Sequence, residues 1–230
     1  MKAYQLVIFD WDGTLMDSTE RIVRCLAAAA QDTGLPRLAD DAYRSIIGLG
    51  LIEAIQALYP NESMQQVVAM RDHYADHFVV AEKVPNPLFP TVADTLAALR
   101  DGGVTMAVAT GKSRRGLDRV WSATGLGHWF AGSRCADETR SKPDPTMLYQ
   151  LLEQFGVAPE QALMVGDTTF DLEMAERAGI DRVGVLYGAH SAEMLRQHRP
   201  LALIDRLEQM LELISLPAAQ SLEALDGPAR

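Results

Sequence analysis

The chain has 230 residues, 48% hydrophobic and 23% charged, which suits a soluble globular protein with one large domain or a core carrying a smaller insert. A formal net charge of −10 argues against nucleic acid as a partner, so any affinity for phosphate has to be built locally from backbone N–H groups, a few cations and a metal. The two cysteines, Cys25 and Cys135, form neither a disulfide framework nor a zinc site, and no run nears the roughly 18 apolar residues of a membrane span.

"LVIF" (6–9) is an unbroken β-rich run, the pattern of a strand buried on both faces. The apolar opening is too short for a signal peptide, and the expectation is a cytoplasmic protein with no membrane partner. After Asp17, Ile22, Val23, Leu26, Ala27 and Ala30 recur at helical spacing, with Asp17 and Glu20 as a capping pair and Gly34 as a stop. Helical pieces continue near 39–47, 51–58 and 62–80, and no strand is predicted in this stretch. "KVPNPLFP" (83–90) is the best linker.

Helices and apolar runs then alternate. Helix 91–100 precedes strand 104–110; helices 113–125 and 145–156 precede strand 162–167; helix 172–179 precedes strand 182–188, and two further helical patterns follow. That order predicts βαβ units around a parallel sheet, an α/β fold. The expected division is a core of 1–16 and 83–215, a helical insert of 17–82 and a fraying tail of 216–230.

Ligands of open parallel sheets bind beyond the carboxyl ends of the strands. There the sequence places Asp10-Trp11-Asp12, then Thr110-Gly111-Lys112-Ser113, then Asp167. Asp10 and Asp12 repel each other unless a proton or cation intervenes. Mg²⁺ held by Asp10 and Asp167 removes that cost and neutralises charge on a transferring phosphoryl group. Asp10 is then the candidate nucleophile, forming an aspartyl-phosphate. Asp12, pointing the other way along an extended segment, is the candidate general acid and base. Gly13 lets the backbone approach the ligand, Thr110 and Gly111 offer a hydroxyl and N–H groups, and Lys142 in "SKPDP" supplies a fixed positive charge.

The quartet "DWDGTLMDS", "ATGKS", "SKPDP" and "GDTTFDLEMAERAG" resembles the four motifs of the haloacid dehalogenase superfamily, in family order, over about residues 4–215. It is most similar to the phosphatases with a helical cap after the first motif, such as phosphoglycolate phosphatases. The resemblance implies a Rossmann-like core, a mobile all-helical cap and Mg²⁺-dependent hydrolysis of a small phosphorylated metabolite. It also implies the backbone carbonyl of Asp12 as a metal ligand, Asp171 beside the metal, and Trp11, Asp12, Thr110, Gly111 and Lys142 around the phosphate. One departure is Thr91, where relatives commonly carry Gly.

The residues discriminate among rival activities within the superfamily. A dehalogenase has no leaving oxygen for Asp12 to protonate. A phosphonate-cleaving relative needs a cap lysine, whereas the lysines here are Lys2, Lys83, Lys112 and Lys142. A phosphosugar mutase, a pyrophosphatase and a nucleotidase share the aspartates and stay open. A phospho-receiver domain carries its phosphorylated Asp on a later strand and no helical insert after strand one. The Asp72-His73 and Asp76-His77 repeat, Arg114 and Arg115 are read as solvated helix faces, and Cys25 as core. Arg21, Arg24 and Arg44 are candidate contacts for a carboxylate or a second phosphate, and "IIGLGLIE" (46–53) is expected to swing over the sheet edge. Monomer and homodimer are both open.

Overall fold

The computed structural model describes residues 2–215; the expected tail, 216–230, lies outside the described residues. The sheet strands are β1 (Leu6–Phe9), β2 (Thr105–Thr110), β3 (Gly132–Cys135), β4 (Ala162–Gly166), β5 (Asp181–Val185) and β6 (Ala202–Ile204), all parallel in the order β3-β2-β1-β4-β5-β6. The chain is α/β, as expected. β1 is central, with Phe9 opposite both Val108 and Val165, so Asp10 leaves the sheet between its two neighbours.

Side-chain alternation along β1 fills both faces. Val7 and Phe9 join one cluster with Val108 and Val165, packed under α5 (Val92–Asp101) and α6 (Arg114–Thr124) through Leu96, Leu99 and Leu117. Leu6 and Ile8 join the opposite cluster under α7 (Thr146–Phe155) and α8 (Thr169–Ala178), through Leu148, Leu151, Met174 and Ala175. Both faces are thus covered, which is why the strand is apolar without interruption.

Between β1 and β2 the chain forms α1 (Thr19–Asp32), α2 (Asp40–Arg44), α3 (Leu51–Leu58) and α4 (Met64–Ala81). These helices bury a cluster of their own, including Leu26, Tyr43, Ile55 and Met70. The chain enters and leaves this insert through two segments that hydrogen-bond to each other. Asp17 N–H donates to the Pro87 carbonyl at 3.0 Å, Phe89 N–H to the Leu15 carbonyl at 3.0 Å, and Arg21 to the Val84 carbonyl at 2.5 Å.

Three expectations need correction. β3 and β6 are strands that sequence periodicity does not show; "GSRC" and "ALI" are short sheet edges with little to bury. One of the two closing helical patterns is α9 (Ala192–Arg196), and the other is a 3₁₀ turn at Leu207–Glu212 beyond β6. The N-cap of α1 is Ser18 rather than Asp17, and its hydroxyl makes no capping bond because it is used elsewhere. Thr91, at the start of α5, adopts φ +68°, a left-handed conformation that a β-branched residue enters only with strain.

Candidate active site

At the carboxyl edge of the sheet, oxygens of Asp10, Asp167 and Asp171 lie within 4.8 Å of one another, all from buried residues. Each is positioned by local backbone. Asp10 follows β1 directly, its N–H donating to the Val165 carbonyl at 2.9 Å. Asp167 follows β4; its carboxylate accepts from the Thr14 hydroxyl and the Ala189 N–H, both at 2.8 Å. Asp171 lies in the first turn of α8 and closes a capping box with Thr168, accepting from the Thr168 hydroxyl at 2.7 Å.

Lys142 reaches this cluster from the loop before α7, with Nζ 2.7 Å from Asp10 Oδ1 and 2.6 Å from Asp171 Oδ1. Burial would lower its pKa, but the two carboxylates outweigh that and hold it above the ordinary range. Burial pushes the Asp10 carboxyl well up, against the ammonium of Lys142, and pushes Asp167 up to about 7, with Asp171 adding to it. Fully ionised, three carboxylates against one ammonium would carry a double negative charge in a buried site, the burden behind the raised Asp10 and Asp167, and Asp10 Oδ2 is buried without a hydrogen-bond partner among the described residues. A divalent cation on hard oxygen ligands fits that donor set in charge and chemistry.

Asp12 points away from this cluster. Its Oδ1 accepts from the Ser18 hydroxyl at 2.6 Å, and its Oδ2 lies 3.0 Å from Lys112 Nζ. Just after Asp12 the chain turns sharply: Gly13 has φ +83°, and a Cβ there would run into the Asp167 carboxylate, so only glycine fits.

Thr110 ends β2 and its hydroxyl accepts from Lys112 N–H at 3.2 Å. Gly111 lies beneath the insert: a Cβ on it would stand 2.5 Å from the Leu49 carbonyl oxygen and 2.6 Å from that of Gly48. Segment 45–50 is held from several sides. Ser141 Oγ accepts from Gly50 N–H at 2.7 Å, and buried His190, whose Nδ1 takes Thr169 N–H at 3.0 Å, places Nε2 3.2 Å from the Ser45 carbonyl. This turn lies over the sheet edge, the position expected of "IIGLGLIE".

Asp10, Asp12, Thr110, Gly111, Lys142, Asp167 and Asp171 therefore gather at one edge, while several other candidates do not. The Trp11 side chain is buried against Trp121 and Phe130, so only its backbone faces the edge. The start of α6 offers fewer free N–H groups than expected, because Arg114 N–H donates to Asp137 and Gly116 N–H to Ser113. Arg21 is spent on the Val84 carbonyl, Arg44 on Glu20 and Asp41, and Arg24 is exposed. His77 Nε2 lies 2.6 Å from Asp32 and His73 3.7 Å from it, so both join α4 to α1. Arg114 clamps Glu138 rather than coating its helix. Sequence reasoning misses Ser18, Thr14, Thr168 and His190, and it places Lys112 at this edge without its pairing to Asp12. Only Thr168 carries a signal, a threonine three residues before Asp171.

The profile of the haloacid dehalogenase-like hydrolase family matches residues 7–185. The chain is 35% identical to "Probable phosphatase IndB" of Dickeya dadantii over 90% of this chain and 91% of that one. It is 31% identical to the phosphoglycolate phosphatase of Vibrio cholerae over 95% of this chain and 100% of that one. The crystal structure of a predicted phosphoglycolate phosphatase from Haemophilus somnus superposes with a TM-score of 0.84 at 26% identity, covering 93% of this chain and 99% of that one. A Bacteroides fragilis crystal structure also reaches 0.84, at 27% identity, covering 90% of this chain and 100% of that one. With its four motifs meeting at one sheet edge, the chain belongs to the haloacid dehalogenase-like hydrolase family.

Proposed function

We propose that this phosphatase of the haloacid dehalogenase family hydrolyses a small phosphomonoester through an aspartyl-phosphate on Asp10, with Mg²⁺ as its cofactor. The observation that carries the reading is the pairing of a buried, half-unpartnered Asp10 carboxylate with the Lys142 ammonium, inside a triad of acidic groups that balance a divalent cation. Asp10, Asp167 and the backbone carbonyl of Asp12 would hold the ion, with Asp171 beside it. When bound, Mg²⁺ supplies positive charge to the phosphoryl oxygens.

The residues of the chain divide the remaining work. A carboxylate oxygen of Asp10 bonds to phosphorus as the ester P–O bond breaks, and Asp12, protonated at the start of the cycle, gives the leaving oxygen its proton. Asp12 then takes a proton from water, the water oxygen bonds to phosphorus, and phosphate departs with Asp10 restored. Lys142 stays charged throughout and offsets negative charge on Asp10 and the phosphoryl group. Ser18 and Lys112 hold the Asp12 carboxylate away from the acidic triad. The helical insert is a cap that excludes water from the phospho-enzyme. Two unpaired, buried cysteines suit a reducing cytoplasm.

The test is release of phosphate from p-nitrophenyl phosphate. The reading expects activity that is lost on chelation, restored by Mg²⁺ and abolished in a folded Asp10→Asn variant. Activity that persists in EDTA removes the metal from the account.

A further inference from the structure

The insert and the sheet edge line a cleft of about 530 Å³ that takes in Asp10 and Asp12 at its floor, the size class of pockets for drug-sized ligands. That is far more space than a two-carbon phosphoester fills, and the wall shows what the remainder suits. Among the described residues its cations are Arg71, Lys112 and Arg119, and each already has a carboxylate partner. Arg71 lies 2.7 Å from Asp72, Lys112 lies 3.0 Å from Asp12, and Arg119 lies 2.8 Å from Glu82. A substrate carboxylate entering here would find Lys112 and Arg119 already neutralised by largely buried carboxylates and only half-exposed Arg71, held weakly by its neighbour Asp72, to receive it.

Ile22, Leu26, Ile46 and Leu49, with Tyr74 and Phe78, make up much of the rest of the wall. Tyr74 and Phe78 stand one turn apart on α4, with ring centroids 5.5 Å apart and planes tilted by 33°. They flank the leaving-group side of the site: Lys112 Nζ, which pairs with Asp12, lies 4.7 Å over the Phe78 ring. The Asp12 carboxylate also acts on the Tyr74 phenol, raising its pKa together with burial. The Asp12 side of the site thus borders Phe78 through Lys112, with Tyr74 one turn away on the same helix.

We propose that the substrate of this site is a phosphomonoester whose alcohol carries a ring or similarly bulky apolar body, seated against Tyr74 and Phe78. This inference rests on the phosphatase reading above and names its substrate class. Stacking and burial against two aromatic rings supply the selectivity, since apolar pockets discriminate by the area they desolvate.

Three alkyl phosphates with comparable leaving oxygens test it: benzyl phosphate, ethyl phosphate and phosphoglycolate, each with Mg²⁺. The expected kcat/KM for benzyl phosphate exceeds that for the other two by about tenfold or more. Phe78→Ala and Tyr74→Ala each lower the benzyl-to-ethyl ratio by about fivefold, and Tyr74→Phe preserves it. The ratio is read on one preparation, so partial unfolding cancels. Benzylphosphonate also binds the wild-type protein more tightly than methylphosphonate in calorimetry. A kcat/KM for phosphoglycolate equal to or above that for benzyl phosphate overturns the inference, as does an unchanged ratio in both alanine variants. Release of phosphate from none of the three while p-nitrophenyl phosphate is hydrolysed overturns the inference alone, as does equal binding of the two phosphonates, whereas no release from p-nitrophenyl phosphate either overturns the phosphatase reading itself.

Discussion

Lys142 Nζ sits 2.7 Å from Oδ1 of Asp10 and 2.6 Å from Oδ1 of Asp171, so one buried ammonium is shared between the nucleophile candidate and the first turn of α8. Replacing it leaves two carboxylates buried without their cation, a loss of about 3–5 kcal/mol for a broken buried pair. Lys142→Met is expected to lower the thermal midpoint markedly. In protein that remains folded, it should cut kcat by about 100-fold to 1000-fold, the cost of one preorganised charge on a developing anion. Thermal denaturation and steady-state kinetics on the same sample check both numbers.

The Ser18 hydroxyl gives its hydrogen bond to Asp12, 2.6 Å away, instead of capping α1. Ser18→Ala should therefore cost about 1–3 kcal/mol, for a lost buried hydrogen bond to a carboxylate rather than a lost cap, and slow turnover several-fold through a loosened acid/base carboxylate. A shift in the pH profile of kcat, with KM little changed, is the signature to measure. A fall in stability with kcat unaffected would mark Ser18 as merely structural.

Much of this arrangement is legible in the amino-acid sequence. Asp10, Asp12, Thr110, Lys142 and Asp167 each sit beside an apolar strand or a proline-fixed turn, and parallel-sheet geometry sends strand ends to one edge. The helical insert is legible too, because 17–82 shows 3.6-residue periodicity and no β-rich run. What the sequence hides depends on contacts between segments distant along the chain. β3 and β6 are edge strands defined by pairing rather than by apolar pattern. His190 and Lys112 take their meaning from the insert, through the Ser45 carbonyl and the Phe78 ring. Ser18 carries no sequence signal of its role, because a serine before a helix ordinarily caps it.

Thr91 holds φ +68° at the N-cap of α5, with its buried hydroxyl oxygen unpartnered among the described residues. The left-handed region costs a residue with a Cβ about 1–2 kcal/mol, and glycine gives back part of that through greater freedom when unfolded. Thr91→Gly is expected to stabilise the protein by about 0.5–1 kcal/mol, measured by denaturant titration, with kcat unaffected.

Burial, with Asp171 adding to it, raises the Asp167 carboxyl from 3.8 to about 7, and the sign of the resulting pH dependence follows. Between those values the folded, metal-free protein keeps a proton that the unfolded chain has lost, so stability is greatest below the window and falls as pH rises through it. In EDTA the thermal midpoint should drop between about pH 5 and pH 7.5, and Mg²⁺ should raise it more at the higher pH, where no proton competes. Asp167→Asn should flatten both trends. A metal effect that is equal at the two pH values would argue against Asp167 as a ligand.

Whether Asp10 takes the phosphoryl group is tested most directly by rapid acid quench of the Asp12→Asn variant with substrate and Mg²⁺, followed by peptide mass spectrometry. With the acid/base group disabled, the breakdown step is slowed, and one added phosphoryl group is expected on the peptide carrying Asp10. Turnover that survives in Asp10→Asn, with the phosphoryl group on another residue or on none, would contradict it.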